Sequence, residues 1–65
     1  MCLSNVFKVT EEGPELFCKN IETVKNDPET GNLVFTDIVG NRYTVNGTIE
    51  SINLSANVIR VLESN

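Results

Sequence analysis

Short runs of alternating apolar and polar residues follow one another along this chain, roughly every ten residues. No long stretch shows the 3.6-residue period of an amphipathic helix, so the pattern predicts β-strands throughout. The predicted strands cover residues 2–9, 15–18, 33–38, 42–45, 48–54 and 58–62.

Residues that favour turns separate these strands. Glycine, proline, asparagine and aspartate supply the backbone angles and local hydrogen bonds that turns need. One dipeptide, Asn46-Gly47, is typical of a two-residue loop and predicts a tight hairpin between the strands on either side of it. The predicted turns lie at residues 11–14, 26–32, 39–41, 46–47 and 55–57.

Two places break the alternation. The apolar positions slip by one residue between Ile49 and Ile52, which predicts a β-bulge near Glu50-Ser51. Ile21 and Val24 are three residues apart, and this spacing fits a bend, a bulge or a single helical turn equally well.

The six short strands predict an all-β fold. We expect a small antiparallel β-barrel or roll, of the size of SH3-like or Sm-like barrels, because closing the sheet removes its exposed edges. A chain of 65 residues forms one domain, residues 1–65. The alternation predicts a core formed by Leu3, Phe7, Leu33, Phe35, Tyr43, Val45, Ile52, Leu54 and Ile59.

The chain is acidic, with nine acidic and five basic residues and a net charge of −4. A nucleic-acid-binding surface normally clusters its basic residues, whereas those of this chain are scattered singly, so nucleic acid is an unfavoured partner. An acidic balance suits a cation-handling protein, but general solubility is the preferred interpretation. The basic residues are Lys8, Lys19, Lys25, Arg42 and Arg60.

No export signal is visible in the sequence, and no apolar run approaches the roughly 20 residues of a membrane span. We therefore expect a cytoplasmic location, no membrane association and reduced thiols. The one disulfide that the composition allows, between Cys2 and Cys18, is not expected.

The chain contains no histidine. Serine–histidine and cysteine–histidine catalysis, and histidine-rich metal sites, therefore cannot be built from it. It also lacks the phosphate-binding and nucleophile motifs of common enzyme classes. We expect that the protein is not an enzyme.

Soft-metal binding at the N-terminus is the chemistry that remains. The thiolate of Cys2, the backbone nitrogen of Cys2 and the free amine of Met1 can close small chelate rings on one ion. Such a nitrogen and sulfur donor set favours square-planar nickel(II) or copper(II) over zinc. One chain offers too few ligands, but two chains that meet at their N-termini would offer four. Alternatively, a cysteine at this position has no role.

Several segments together resemble one family. The match extends over essentially the whole chain, and the opening Met-Cys-Leu-Ser is its most specific part. The segments are Met1-Cys2-Leu3-Ser4, Thr36-Asp37-Ile38-Val39-Gly40-Asn41, Val45-Asn46-Gly47-Thr48-Ile49, Ile52-Asn53-Leu54 and Val58-Ile59. They resemble the CooT family, small nickel-binding accessory proteins linked to the maturation of carbon monoxide dehydrogenase.

The resemblance implies a homodimeric metallochaperone that binds Ni(2+) through Cys2 at the subunit interface. Its further partners would be a nickel enzyme or the maturation factors of that enzyme. Cys18 matches no ligand position of the family, and its alternation with Leu16 predicts a buried, inert thiol. The family has also been described as possibly RNA-binding, so a small β-barrel RNA-binding protein is the alternative function.

Overall fold

The computed structural model describes residues 2–64 and contains six strands and no helix within that range. This confirms the prediction of an all-β fold with about six strands. The strands are β1 (Ser4–Thr10), β2 (Gly13–Asn26), β3 (Leu33–Asp37), β4 (Arg42–Val45), β5 (Gly47–Asn53) and β6 (Val58–Glu63).

The strands form one sheet in the order β4-β3-β2-β1-β6-β5, which curls into a half-barrel. Four of the neighbouring pairs are antiparallel, as expected. The exception is the pair of β1 and β6, which is parallel. A parallel pair needs a long connection, and here β2 to β5 supply it, so no local turn in the sequence could indicate it.

The second strand is much longer than the short strand predicted from its alternation. Its first part pairs with β1, and its second part pairs with β3. Between them lies Asn20, whose φ of 59° is a left-handed conformation that asparagine tolerates. The register also shifts between Ile21 and Thr23. Of the alternatives left open around Ile21 and Val24, the structure therefore has a bulge.

The concave face of the curled sheet contains the core. Phe35 lies at its centre and is fully buried, and the ring of Phe17 packs edge-on against Phe35 and Tyr43. The predicted core residues Leu33, Phe35, Val45 and Ile59 are confirmed. The buried apolar side chains are Val6, Cys18, Ile21, Leu33, Phe35, Val45, Ile59 and Val61.

Other parts of the predicted core are wrong. Ile52 is 52% exposed because β5 is an edge strand with a neighbour on one side only, and Leu54 is 82% exposed in the turn beyond it. Val6 is fully buried, whereas Leu3 and Phe7 are only half-buried. Neighbouring residues of a strand face opposite sides, so Phe7 lies on the face away from the core.

The predicted hairpin at Asn46-Gly47 is also wrong. The two strands that it joins, β4 and β5, lie at opposite ends of the strand order. Instead, the carbonyl of Asn46 accepts a 2.7 Å hydrogen bond from the amide of Ser64, and Gly47 pairs with Glu63. The dipeptide thus leads the chain from one edge strand to the other. The predicted bulge in β5 is confirmed by a register shift between Ile49 and Ser51.

Candidate functional site

Cys2 lies just before β1, and its thiol is free and exposed. An exposed thiol can reach an incoming metal ion without any rearrangement of the fold. The other predicted ligand residue, Met1, lies outside the described residues. Of the predicted pair, the structure therefore places Cys2 alone, and it places it at the surface.

Cys18 lies in the core and is also free, so the two thiols form no disulfide. It pairs with Val6 across β1 and β2 and is only 6% exposed. Burial, together with the nearby charge of Asp37, raises the pKa of Cys18 to about 11. Such a thiol stays protonated at neutral pH, and the core encloses it, so it is poorly placed to meet an incoming metal ion. The prediction of a buried thiol is confirmed.

A complete metal site is absent from residues 2–64, which contain no group of three or more potential ligands among His, Cys, Asp and Glu. Within these residues, the thiolate of Cys2 therefore belongs to no group of three such ligands. The donor set suits a soft or borderline ion rather than a hard one such as Mg²⁺. Any further ligands must come from backbone nitrogen or from another molecule.

Two segments without charged side chains meet at the end of the sheet where Cys2 lies. The turn from β5 to β6 lies at the same end of the sheet as the start of β1, since the amide of Asn5 donates to the carbonyl of Asn57 at 2.9 Å. Neither residues 2–5 nor residues 53–57 include an acidic or basic side chain. We call these two segments the uncharged end. It also presents Leu54, the most exposed of the large apolar side chains.

A second polar centre, which sequence reasoning missed, lies in the turn between β3 and β4. The buried carboxylate of Asp37 accepts bonds from the amides of Val39 and Asn41 at 3.0 and 2.9 Å. It also accepts from the Asn41 side chain and the Tyr43 hydroxyl, both at 3.1 Å. An aspartate three residues ahead of Gly40-Asn41 is a local signal for the first two bonds. The bond from Tyr43 depends on the pairing of β3 with β4.

These bonds determine how Asp37 titrates. Burial alone would raise the pKa of its carboxyl group, but the bonds from Asn41, Tyr43 and Val39 favour the charged form and lower it below the ordinary 3.8. The hydrogen bond from the Tyr43 hydroxyl to Asp37, together with burial, raises the pKa of Tyr43. The carboxylate is therefore ionised at neutral pH and fully occupied in holding the turn, with no role as a metal ligand.

Asp37→Asn is expected to flatten the acid dependence of stability. Because the folded pKa is lowered, the unfolded chain binds the proton more readily, so this stabilisation is present well above pH 4 and is lost as pH falls through the folded pKa. Urea unfolding at several values from about pH 5 to pH 2 measures it. The variant should be less stable at pH 5 and should lose less stability on acidification. Equal slopes for both proteins would contradict this assignment.

Surface grooves do not coincide with either centre. One groove, of about 460 Å³, lies on β2, β3 and β4 between Lys25 and Arg42, and another, of about 620 Å³, follows the turn from β5 to β6. Neither is lined by Cys2 or Asp37.

Comparisons with known proteins give a consistent result. A family model described as "CO dehydrogenase accessory protein CooT" matches residues 1–62. A crystal structure of a CooT candidate from Carboxydothermus hydrogenoformans matches with a TM-score of 0.87, over 98% of this chain and 100% of that chain. Its sequence is 22% identical, so this likeness shows the fold alone. No protein with a curated description matches the chain.

In residues 2–64 there is no helix that could span a membrane.

Proposed function

This chain belongs to the CooT family of CO dehydrogenase accessory proteins, and we propose that it is a metallochaperone that binds nickel(II) for such an enzyme. The observation that carries this proposal is the free, exposed thiol of Cys2 at the uncharged end. An accessory protein acts on the enzyme it serves, so its chemistry is to hold and release the ion rather than to catalyse a reaction. Its place of action is the cytoplasm, where its client would be matured.

The Cys2 thiolate is the principal ligand in this proposal. The free amine of Met1 and the backbone nitrogen of Cys2 complete small chelate rings on the same ion. Because one chain lacks enough ligands, a second copy supplies the rest, and one nickel ion is held by two chains. A site open to solvent at the end of a sheet suits an ion that must later be transferred.

The uncharged end is the part of the surface best suited to bring two copies together. Two chains of net charge −4 repel each other, and this repulsion is smallest where no charged side chain lies. Burial of the exposed Leu54 adds a favourable apolar contact. A homodimer formed at this end places the two Cys2 thiols near its twofold axis.

Native mass spectrometry of the protein with added nickel tests the proposal. We expect a dimer with one nickel ion, together with a thiolate-to-nickel absorption band that saturates at the same ratio and disappears after alkylation of Cys2. A protein that stays monomeric with and without nickel, or that shows no thiolate band, would contradict it.

Leu54→Asp is expected to weaken both the dimer and nickel binding. The substitution adds a charge to each copy at the uncharged end, and the two charges repel across the twofold axis. Sedimentation velocity should show more monomer, and nickel titration should show an affinity lower by about tenfold, or roughly 1.4 kcal/mol. The matched control is Leu16→Asp, which adds the same charge at an exposed leucine of β2. If both variants behave like the unmodified protein, the dimer forms elsewhere.

A further inference from the structure

The turn between β3 and β4 presents two apolar side chains to solvent. Ile38 is 52% exposed and Val39 is 78% exposed, although both are β-branched residues that normally pack. We call these two residues the apolar tip. It lies on the β3 side of β2, whereas Cys2 lies on the β1 side. The proposed nickel site therefore does not use it.

The apolar tip is held in one conformation. Besides the bonds of the Asp37 carboxylate, the Asp37 amide donates to the carbonyl of Asn41 at 2.9 Å, and the amide of Gly40 donates to the carbonyl of Asp37 at 3.0 Å. The amide of Ile38 donates to the carbonyl of Asn20 at 3.1 Å, which fixes the turn to β2. A surface that is ordered before binding loses less conformational entropy when a partner binds.

Two exposed basic residues lie close to the apolar tip along the chain, whereas the carboxylate of Asp37 beside it is buried. Lys19 precedes Asn20, which is bonded to the turn, and Arg42 follows Asn41 directly. Both side chains are exposed. They are two of only five basic residues in a chain with nine acidic ones. The tip is therefore an apolar projection with a positive border on an otherwise acidic protein.

We propose that the apolar tip is the element with which this chain docks on the enzyme that receives its nickel. This inference rests on the proposed function. The charges indicate that the receiving surface is an apolar pocket bordered by carboxylates. A second copy docked tip to tip is a poorer occupant, because it would set the basic residues Lys19 and Arg42 of the two copies against each other. A convex anchor of this size fits a pocket on a larger protein.

Binding of nickel-free CO dehydrogenase to immobilised protein tests the proposal. The double variant Ile38→Ser/Val39→Ser should bind about tenfold more weakly or worse. The control Leu16→Ser removes a leucine that is as exposed as Ile38 and should bind normally. Arg42→Glu should also weaken binding. If the double variant does not fold, Val39→Ser alone serves, because its side chain is largely exposed.

The nickel absorption band, recorded for every variant, separates the two proposals. The band should be the same in every variant. A variant that loses docking but keeps a normal band therefore concerns the apolar tip alone. A missing band in the unmodified protein refutes the proposed function. Three results would overturn the docking proposal: no binding by the unmodified protein, equal binding by the double variant, or loss of the dimer in that variant. Tip-dependent binding to phosphatidylserine vesicles would overturn it too, in favour of a membrane.

Discussion

Cys2→Ser is expected to abolish tight nickel binding and to leave the fold unchanged. Serine replaces a soft thiolate by a hard hydroxyl that stays protonated and is a poor ligand for nickel. The Cys2 side chain is exposed, so its replacement removes no core packing. The affinity loss should exceed the roughly 10- to 100-fold that is typical when a residue supporting a ligand is changed. A nickel titration followed by the thiolate-to-nickel band measures it.

The matched control is Cys18→Ser, which removes the other thiol. It should leave the nickel band unchanged, since Cys18 is buried and its pKa is raised to about 11. It should destabilise the fold by about 1–3 kcal/mol, because a hydroxyl group replaces an apolar one in the core. Retention of nickel affinity by Cys2→Ser, or its loss in a folded Cys18→Ser, would refute the assignment.

Proton competition gives an independent check on the same site. A metal-bound thiolate must first lose its proton, so nickel affinity should fall steadily as the pH is lowered. The acid-dependent stability of Asp37 enters only at much lower pH, because the pKa of that carboxyl is below 3.8. Nickel release in a protein that remains folded is therefore expected over an intermediate range of pH.

Local patterns in the sequence predict the strands and part of the core well. β3 alternates between buried and half-buried residues from Leu33 to Asp37, so the two faces of the strand can be distinguished without knowing its neighbours. The slip between Ile49 and Ser51 is likewise visible within a single strand. Both are period-two signals, and they depend only on residues that are close in sequence.

Features that depend on distant residues could not be predicted in the same way. Asn46-Gly47 has the local chemistry of a hairpin, but its neighbours are Glu63 and Ser64, far along the chain. Both faces of the first strand carry apolar residues, so its alternation does not show which face is buried. The parallel pairing with β6 decides this, because it places Val6 opposite Ile59. Parallel pairing leaves no turn signal in the sequence.

The same distinction between local signals and long-range contacts applies to the candidate site. Cys2 is recognisable from its position and from the resemblance of its neighbours to the CooT family, and the structure adds that its thiol is exposed. The apolar tip could not be recognised, because Ile38 and Val39 read as the end of a strand and the start of a turn. Its rigidity arises from contacts of Asp37 with the next strand and of Ile38 with Asn20.

Gly47→Ala is expected to destabilise the fold strongly, although it adds only one methyl group. A Cβ atom at this position would overlap the carbonyl oxygen of Leu62 and lie 2.9 Å from the Cα of Glu63. Both neighbours are backbone atoms of β6, so they can move only if the strand moves.

Overpacking against atoms that cannot yield costs about 3 kcal/mol, a large part of the roughly 3–10 kcal/mol expected for a chain of 65 residues. Urea unfolding should show a lower midpoint with an unchanged slope. Thr48→Ala, at the exposed neighbouring residue, is the control and should change stability by no more than about 0.5 kcal/mol. If Gly47→Ala unfolds at the same urea concentration as the unmodified protein, β5 does not approach β6 this closely at its first residue. The chain would then pass from β4 to β5 by a different route.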